Sequence, residues 1–358
     1  MPEPECTPRA LGFRMPAEWE PHEATWLAWP HNPEDWPGKF AAIPWLYAEI
    51  VRLLAARERV HLIVENAAAE KRVRSMLKRA GADLGNVDFH QWATDRGWTR
   101  DSGPIFVRDG AGKLAVTNWQ FNGWAKYDDW RLDDQIPGRV TELLGLPFWQ
   151  PSVQDKYGTK HRMVLEGGSI DVNGAGLMLT TEECLLSMVQ QRNPDVSREQ
   201  LEQVFSDYLG VNQVIWMNRG IAGDDTHGHV DDITRFASVD TIITAVEPNT
   251  KDPNHELLAE NLARLKAART PEGKQFTIVE LPMPRPVVFR RQRVPASYAN
   301  FYLANGVVLM PTFHDPNDRV ALNILAETFP EREVIGVHSV DLIWGLGALH
   351  CMTQQQPA

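Results

Sequence analysis

Cysteine is scarce in this chain of 358 residues, which contains only Cys6, Cys184 and Cys351. The three are widely separated, and none belongs to a CxxC pair. This odd, scattered set argues against a disulfide framework and a structural zinc site, and it fits a reducing compartment. The sequence also lacks a run of about 18 apolar residues and the apolar segment of a signal peptide. We therefore expect a cytoplasmic location.

Positive charge is also in short supply. The chain has 36 Lys and Arg against 47 Asp and Glu, a formal net charge of −11, and its longest basic cluster is FRRQR at residues 289–293. Nucleic acids and anionic membranes require a basic footprint, so neither is an expected partner. A negative field instead attracts small cations. Thirteen tryptophans, several in loops rich in Gly and Pro, suit an aromatic-lined pocket or an ordinary core.

Long linkers, low-complexity tracts and breaks in composition are absent, which predicts a single domain over residues 1–358. Strand-like and helix-like segments alternate along it. Val60–Glu65 has the composition of a buried strand, and Ala67–Arg79 has the pattern of a helix. The dipeptide Asn305-Gly306 between two apolar segments predicts a hairpin. Hairpins among helices indicate a mixed α/β fold rather than an all-parallel sheet.

The same patterns predict further elements. A capping box formed by Ser197 and Gln200 begins one helix. The others are strands at Leu114–Phe121 and Ile105–Arg108, a hairpin of Met163–Val172 with Leu177–Thr181, and helices at Arg131–Leu144, Asn254–Arg269 and Pro316–Phe329.

Four stretches combine polar residues with Gly or Trp in a way that a protein core does not need. They are DRGWTRDSGP (95–104), LEGGSID (165–171), GDDTHGHVDD (223–232) and GALHCMTQQQ (347–356).

The third stretch is the densest, with His227, His229, Asp231 and Asp232 within six residues. Two histidines at positions i and i+2 of a strand point the same way, so they are candidate metal ligands. A hydrogen-bonded structural network near a turn is a second interpretation. The third is catalysis, with one histidine as acid and base and an aspartate two residues later on the same strand face.

The other stretches also allow both a structural and a chemical interpretation. Asp101 suits a turn in which it pairs with Arg100 or Arg96. Glu166 follows an apolar segment, where a carboxylate is rarely buried without a partner. Cys351 suits either a small buried hydrophobe or a reactive thiol.

Considered together, one thiol, one histidine and three carboxylates suit a single task, which is to hold a planar cation and attack its carbon. A guanidinium group presents five N–H donors in a plane, and carboxylates bind it bidentately. Two carboxylates on two edges leave the central carbon open to a thiolate. Because a free cysteine has a pKa of about 8.5, that thiolate needs a nearby cation, either His229 or the bound substrate.

Seven long motifs carry a resemblance to a known family. They are FRMPAEWEPHEATWLAWPHNPEDWPGK, WTRDSGPIFV, NWQFNGWAKYDDW, LEGGSIDVNG, DDTHGHVDDITRF, SYANFYLANGVVLMPTFHDPND and LHCMTQQQP. Over nearly its full length the chain resembles the agmatine deiminases, within the guanidine-modifying superfamily that includes arginine and peptidylarginine deiminases. The resemblance implies a single-domain, five-bladed α/β propeller with pseudo-fivefold symmetry and a central active site.

The resemblance also implies the roles of seven residues. These are Cys351 as nucleophile, His229 as acid and base, Asp101 and Asp231 as guanidinium-binding carboxylates, Glu166 as the carboxylate completing the cradle and the surroundings of the histidine, Trp98 as an aromatic wall, and Asp225 facing the far ammonium of the substrate. The implied reaction hydrolyses agmatine to N-carbamoylputrescine and ammonia through a covalent cysteine thiouronium. No cofactor and no metal are implied, and homodimers are frequent in the family.

Three alternatives stay open at this point. A deiminase of peptidyl or free arginine would use the same chemistry on a different substrate. A catalytically silent polyamine-binding protein would use the acidic cradle and have no need of a thiol. A metal hydrolase would use the two histidines of the third stretch as ligands.

Overall fold

The computed structural model describes residue 4 and residues 6–154 and 158–358. Helices and strands alternate along these residues, so the prediction of a mixed α/β fold is confirmed. Among the described residues, no helix combines the length and the apolar character that crossing a lipid bilayer requires.

The helices and strands have the following bounds. The helices are α1 (Ile43–Ala55), α2 (Ala67–Ala80), α3 (Thr99–Ser102), α4 (Ile136–Leu144), α5 (Glu182–Leu186), α6 (Arg198–Leu209), α7 (Asn254–Ala267) and α8 (Asn317–Thr328). The strands are β1 (His22–Ala28), β2 (Arg59–Val64), β3 (Val87–Gln91), β4 (Ile105–Arg108), β5 (Leu114–Thr117), β6 (Phe148–Trp149), β7 (Ser152–Gln154), β8 (Lys160–Arg162), β9 (Asp171–Val172), β10 (Leu177–Thr181), β11 (Gln213–Met217), β12 (Thr234–Phe236), β13 (Thr241–Val246), β14 (Thr277–Pro282), β15 (Val288–Phe289), β16 (Gln292–Arg293), β17 (Tyr302–Ala304), β18 (Val307–Thr312), β19 (Glu333–His338) and β20 (Gln354–Pro357).

Five of the sheets repeat one pattern. In each, a first strand pairs antiparallel with a second, and the second pairs parallel with a third that follows at least one helix. The sheets are β20-β1-β2-β3, β4-β5-β6, β9-β10-β11, β12-β13-β14 and β17-β18-β19. A parallel pair requires such a crossover, whereas an antiparallel pair needs only a short turn. The first sheet joins the two ends of the chain, since β20 lies against β1.

Local signals set many element boundaries where the sequence predicts them. Asn66 begins α2, because its side chain accepts a hydrogen bond from the backbone N–H of Ala69 at 2.9 Å. Gly81 ends that helix in the left-handed conformation, which glycine adopts without steric cost. The capping box of Ser197 and Gln200 begins α6. The strongest local patterns therefore place these helices to within about two residues.

Three predicted elements are shorter than expected. The predicted strand Leu114–Phe121 ends at Thr117, after which the N–H of Phe121 donates to Asp134 Oδ1 at 2.8 Å. The predicted helix Arg131–Leu144 begins at Ile136. The predicted strand Met163–Val172 reduces to Asp171–Val172, because Gly167–Ser169 forms a 3₁₀ turn.

Short turns lead into the first strands of the five sheets, and each turn carries a polar residue within five positions of its strand. We call them the pre-strand turns: residues 98–102 before β4, 166–169 before β9, 229–232 before β12, 297–300 before β17 and 348–352 before β20. They carry Asp101, Glu166, Asp231, Asn300 and Cys351 respectively. Each of the five sheets therefore has a polar side chain just before its first strand.

Candidate active site

Hydrogen bonds between the pre-strand turns bring these distant parts of the chain together. The N–H of Gly168 donates to Asp101 Oδ1 at 3.0 Å, and the N–H of Arg100 donates to the carbonyl of Cys351 at 3.1 Å. The N–H of His350 donates to the side-chain oxygen of Asn300 at 3.0 Å. The site is therefore assembled by the fold and not by any one segment.

Three glutamines fix the tail that carries Cys351. The Gln354 side chain donates to the carbonyl of Pro104 at 2.8 Å. Gln355 accepts from Arg100 at 2.7 Å, and Gln356 accepts from the indole of Trp26 at 3.0 Å. The conformation of this tail is thus held by side chains of the first and second sheets and their connections.

The thiol of Cys351 lies among polar groups. Asn300 Nδ2 is 3.2 Å from the sulfur, and Asp231 Oδ2 is 3.9 Å from it. Burial raises the pKa of the Cys351 thiol well above its ordinary value, and the negative charges of three neighbouring aspartates raise it further. The thiol is therefore protonated at neutral pH unless a cation arrives beside it.

Asp101 is buried and faces the same place. Its Oδ2 accepts from the indole of Trp124 at 2.9 Å. Burial raises the pKa of Asp101 to about 6, although the nearby His229 lowers it. Asp101 is therefore a carboxylate at neutral pH that gains a proton in mild acid.

The structural interpretation of Asp101 as a partner of a neighbouring arginine is wrong. Arg100 instead contacts Glu18 and Gln355. Arg96 pairs with Asp35 and Asp129. Both arginines are engaged elsewhere, which leaves Asp101 free for another cation.

His229 lies between two carboxylates. Its Nδ1 is 3.8 Å from Asp101 Oδ1 and its Nε2 is 3.8 Å from Glu166 Oε2, and neither nitrogen has a hydrogen-bond partner among the described residues. Burial alone would lower the pKa of His229. The charge of Asp101 and contacts with Cys184 and Glu166 raise that pKa well above its ordinary value. An imidazolium is thus available at neutral pH to donate a proton.

Glu166 has the partner that a buried carboxylate requires. Arg192 Nε donates to its Oε1 at 2.9 Å, and both side chains are fully buried. Burial alone would raise the pKa of Glu166, but Arg192 and His229 lower it to about 2. Glu166 therefore remains a carboxylate and stabilises the positive charge on His229.

Asp231 is bound on one side only. Its Oδ2 lies 2.6 Å from Nδ1 of His350, while its Oδ1 has no partner among the residues that the structure describes. Burial would raise the pKa of Asp231, but His350 holds it below its ordinary value. An ionised oxygen is therefore left for a cationic ligand.

The two histidines of the third stretch do not face each other, so the interpretation of them as a pair of metal ligands is wrong. Residues 223–229 form a loop rather than a strand, and Gly228 has φ of +95°. A Cβ atom there would lie 2.9 Å from the side chain of Glu183. His227 turns away to Ser187 Oγ at 3.1 Å.

One group of side chains within the described ranges could ligate a metal. Its ligand atoms, from Glu166, Cys184 and His229, lie within 4.8 Å of one another. The guanidinium of Arg192 and a protonated His229 already neutralise this group. The arrangement therefore suits proton handling better than cation binding.

Gly168 permits the close approach of these groups. A Cβ atom at this position would lie 2.6 Å from His229 Nδ1 and 2.8 Å from Asp101 Oδ1. Contacts under 3.0 Å do not occur for real Cβ atoms, so a side chain here would displace the site. The absence of a side chain at Gly168 therefore lets His229 and Asp101 approach the backbone here.

A cavity of about 480 Å³ opens onto Cys351 and Asp101. Its aromatic lining consists of Trp98, Trp124, Tyr127 and Trp344. Its charged lining is six acids, Glu34, Asp35, Asp101, Asp128, Asp129 and Asp225, against one arginine, Arg96. Low-dielectric walls strengthen the field of such a lining, so the cavity attracts cations.

Trp98 and Asp225 occupy different parts of the lining. The ring of Trp98 lies 5.3 Å from that of Trp36, measured between centroids, which fixes it as a wall. Asp225 accepts from the hydroxyl of Tyr127 at 2.7 Å and pairs with Lys126. A ligand ammonium at Asp225 would therefore compete with a lysine for this carboxylate.

Sequence reasoning assigned no role to Asn300, Arg192 or His350. Asn300 lies in the quoted motif SYANFYLANG, and like Asp101 it precedes the first strand of its sheet. Arg192 and His350 act on Glu166 and Asp231 across 26 and 119 positions, which no local pattern reports.

Comparison with known proteins gives one family and consistent relatives. The family model described as Porphyromonas-type peptidyl-arginine deiminase matches residues 14–357. An agmatine deiminase of Pseudomonas syringae pv. tomato is 36% identical, over 98% of this chain and 97% of its own length. One of Pseudomonas aeruginosa is 35% identical, over 100% of this chain and 99% of its own.

Solved structures agree with these relatives. An agmatine deiminase of Enterococcus faecalis superposes with a TM-score of 0.89 at 29% identity, over 100% of this chain and 99% of that one. One of C. jejuni, a cysteine-to-serine variant solved with substrate bound, superposes with a TM-score of 0.84 at 28% identity, over 97% and 96%.

Proposed function

The chain belongs to the Porphyromonas-type peptidyl-arginine deiminase family, and from this premise and the geometry of the site we propose that it hydrolyses agmatine to N-carbamoylputrescine and ammonia. One observation carries the proposal. A buried thiol, Cys351, lies beside an ionised carboxylate with a free oxygen, Asp231, and shares with Asp101 a cavity that acids line. Such a site binds a planar cation and presents sulfur to its carbon.

Substrate binding prepares the nucleophile. Asp101 and Asp231 hold the guanidinium along two edges, and the positive charge enters beside Cys351. Because negative charges hold the thiol pKa high in the free protein, the arriving cation favours the thiolate. The thiol proton passes to solvent as the substrate binds, and Asn300 donates to the thiolate through Nδ2.

The first half of the reaction forms the covalent intermediate. The thiolate of Cys351 bonds to the central carbon, and one C=N π pair moves onto nitrogen to give a neutral tetrahedral adduct. The imidazolium of His229 then protonates an amino group, which leaves as ammonia. The product of this half is a positively charged thiouronium on sulfur and a neutral His229.

The second half regenerates the thiolate. Neutral His229 takes a proton from water, and the hydroxide bonds to the thiouronium carbon. The adduct collapses to a C=O bond and expels the thiolate, and the hydroxyl proton is released to solvent, where the departed ammonia takes up a proton as ammonium. Glu166 stabilises the imidazolium whenever it forms, because Arg192 keeps that carboxylate ionised.

The repeated sheets support a finer description of the fold. We propose that the five sheets are the blades of a five-bladed α/β propeller with pseudo-fivefold symmetry. The strand pattern common to the five sheets and the pre-strand turn before each first strand support it. Turns that lead into the first strands of five blades would all meet at a central site.

The lining of the cavity selects the substrate. The far end of agmatine carries an ammonium alone, whereas that of arginine carries an ammonium and a carboxylate. We propose that Asp225 binds this ammonium while Trp98 packs against the substrate chain. The lining arginine, Arg96, is already paired with Asp35 and Asp129 and is not free for a substrate carboxylate. A carboxylate placed among these acids would be repelled.

A comparison of ammonia release from three substrates tests the function. We expect kcat/KM for agmatine to exceed that for free arginine by at least about 100-fold, since like-charge repulsion costs several kcal/mol. An N- and C-blocked arginine peptide should react no faster than arginine. Equal or greater kcat/KM for arginine or the peptide would contradict the assignment of agmatine as substrate.

The decrease of kcat/KM at low pH, which we call the acid limb of the pH profile, should report the protonation of Asp101. As the pH falls through about 6, Asp101 gains a proton and loses the charge that holds the guanidinium. kcat/KM reflects the free enzyme, whose Cys351 thiol is also protonated in this range and contributes a slope of its own. Below about pH 6 we therefore expect the fall of kcat/KM to steepen by a further factor of about ten per pH unit. Steady-state rates with agmatine between pH 4.5 and 9 measure it.

A second acid of the cavity supplies the control. Burial raises the pKa of Asp35 to about 7, so it too titrates in this range. In the Asp35→Asn protein the limb should stay near pH 6, as Asp101 is unchanged. Disappearance of the limb in that variant would assign it to Asp35 instead.

A further inference from the structure

A row of alternating charges runs beneath the site. Arg235 pairs with Asp171 through Nε and lies 2.9 Å from Glu18 Oε2 through Nη2. The same oxygen of Glu18 is 2.7 Å from Nε2 of His350, whose Nδ1 is 2.6 Å from Asp231 Oδ2. All five side chains are buried. The row ends at the carboxylate beside Cys351.

The two contacts of His350 specify its protonation state. A neutral imidazole has one N–H and can donate to one carboxylate only. Both ring nitrogens of His350 lie at short hydrogen-bond distance from carboxylate oxygens, so both must carry hydrogen or one carboxyl must be protonated. Arg235 and His350 hold the pKa of Glu18 well below its usual range against burial, and that of Asp231 is also lowered. Since Glu18 also faces Arg235 and Arg100, the geometry favours two ionised carboxylates with both hydrogens on the ring between them.

The charge balance of the row also favours a positive charge on His350. Its acids are Asp171, Glu18 and Asp231, and its permanent cations are Arg235 and Arg100, whose Nη2 is 3.4 Å from Glu18. Without a charge on the histidine the group would carry one uncompensated negative charge in the protein interior, which is costly. A positive ring makes it neutral.

We propose that His350 is a positioning residue of the reaction: as an imidazolium held between Glu18 and Asp231, it fixes Asp231 beside Cys351 and keeps that carboxylate ionised for the substrate cation. This rests on the proposed function. His350 does not line the cavity, so it acts through its neighbours. Its backbone N–H also holds the side chain of Asn300, which contacts the sulfur.

We call His350 with its two carboxylate partners, Glu18 and Asp231, the clamp. The charged and titratable groups that face His350 determine how the clamp responds to pH. They are Glu18, Arg100, Arg235 and Asp171 on one side, and Asp231, Asp232, His229 and Cys351 on the other. The arginines keep their charge across the working range, and Asp232 has a pKa raised well above its ordinary value by burial and by Asp231. Loss of the positive charge on His350 would therefore raise mainly the pKa of Asp231, so that this carboxylate would be protonated at a higher pH.

The His350→Gln variant tests this role. Glutamine donates from a single nitrogen and carries no charge. We expect kcat/KM for agmatine to fall about 10- to 100-fold, as for other residues that orient a functional ligand. The acid limb should also become steeper, because loss of an opposite charge raises a carboxyl pKa by one to three units and so brings the protonation of Asp231 towards the range in which Asp101 titrates.

A matched variant controls for the loss of a buried histidine. His22 is equally buried, with Nδ1 3.4 Å from Glu58 and Nε2 2.7 Å from the carbonyl of Glu18, and it does not contact Asp231. His22→Gln should keep kcat/KM within about twofold and leave the acid limb in place. A folded His350→Gln protein that behaves like His22→Gln would overturn the proposal.

Binding measurements separate positioning from folding. In a Cys351→Ser background, calorimetry should show agmatine binding at least about tenfold more weakly when His350 is also replaced by glutamine. If His350→Gln fails to fold by circular dichroism, Glu18→Gln removes the other carboxylate of the clamp and keeps the ring. The same steepening of the acid limb is expected there, because the ring then keeps only one of its two carboxylate partners, and an unchanged limb would refute the role of His350.

The proposal and the function fail in different ways. A wild-type protein that releases no ammonia from agmatine refutes the proposed function. An active wild-type protein whose His350→Gln variant keeps the same kcat/KM, acid limb and affinity for agmatine refutes only the positioning role.

Discussion

Replacing Cys351 with serine is expected to reduce the rate of ammonia release from agmatine by at least about 10³-fold. An alkoxide is far harder to form than a thiolate, and three aspartates around the site disfavour it further. Steady-state assays at saturating agmatine measure the loss. If the variant kept more than about a tenth of the activity, the covalent route would be wrong.

Two controls make this result specific. Cys6→Ser changes an exposed cysteine whose side chain is remote from the site, so activity should be retained. In the wild-type protein, 2-chloroacetamidine should alkylate Cys351 much faster than uncharged chloroacetamide, because the amidinium imitates the guanidinium. Peptide mass spectrometry locates the adduct. Labelling that prefers Cys6 or Cys184 over Cys351 would contradict the assignment of the nucleophile.

Loss of substrate affinity should not explain the effect. The replacement leaves Asp101 and Asp231 in place, and these carboxylates rather than the sulfur are proposed to hold the guanidinium. We expect Cys351→Ser to bind agmatine with a dissociation constant near the wild-type KM. A variant that no longer binds agmatine would show that the loss of rate is not chemical.

Replacing His229 with alanine is expected to lower kcat by about 10²- to 10⁴-fold, the usual contribution of a positioned acid and base. Both halves of the proposed reaction move a proton through this ring, so the loss should appear in kcat at saturating agmatine. Activity within about tenfold of wild type would assign proton transfer to another group.

The neighbouring histidine is the matched control. His227 lies two residues away, is partly exposed and contacts Ser187 rather than the site, so His227→Ala should retain activity. Thermal melting should accompany both assays, since removing His229 leaves Asp101 and Glu166 without a shared cation. His229→Gln serves as a second variant of similar size.

The fold was predictable where local rules decide it. The caps of α2 and α6 and the turn at Asn305-Gly306 appear where their residues predict them. Prediction of element boundaries failed where groups that are remote in the sequence determine the backbone conformation. Asp133 accepts hydrogen bonds from the N–H groups of Asp95 and Arg96, so the residues before α4 are held by a segment almost 40 positions earlier.

The site was predictable in its residues but not in its arrangement. Composition suggested that a thiol, a histidine and three carboxylates act on a cation, and the resemblance supplied which ones. Neither indicated that Arg192 neutralises Glu166 or that His350 holds Asp231, since each contact joins distant parts of the chain. A buried charge needs a partner, but only the fold determines which one.

The pairing of β20 with β1 bears on the synthesis of this protein. Of the five pre-strand turns, the one that carries Cys351 is translated last, so the proposed nucleophile joins the acids and the histidine only after their segments have been made. Closing the first sheet then joins segments separated by more than 300 positions. The sulfur is therefore held in place only once β20 has paired with β1.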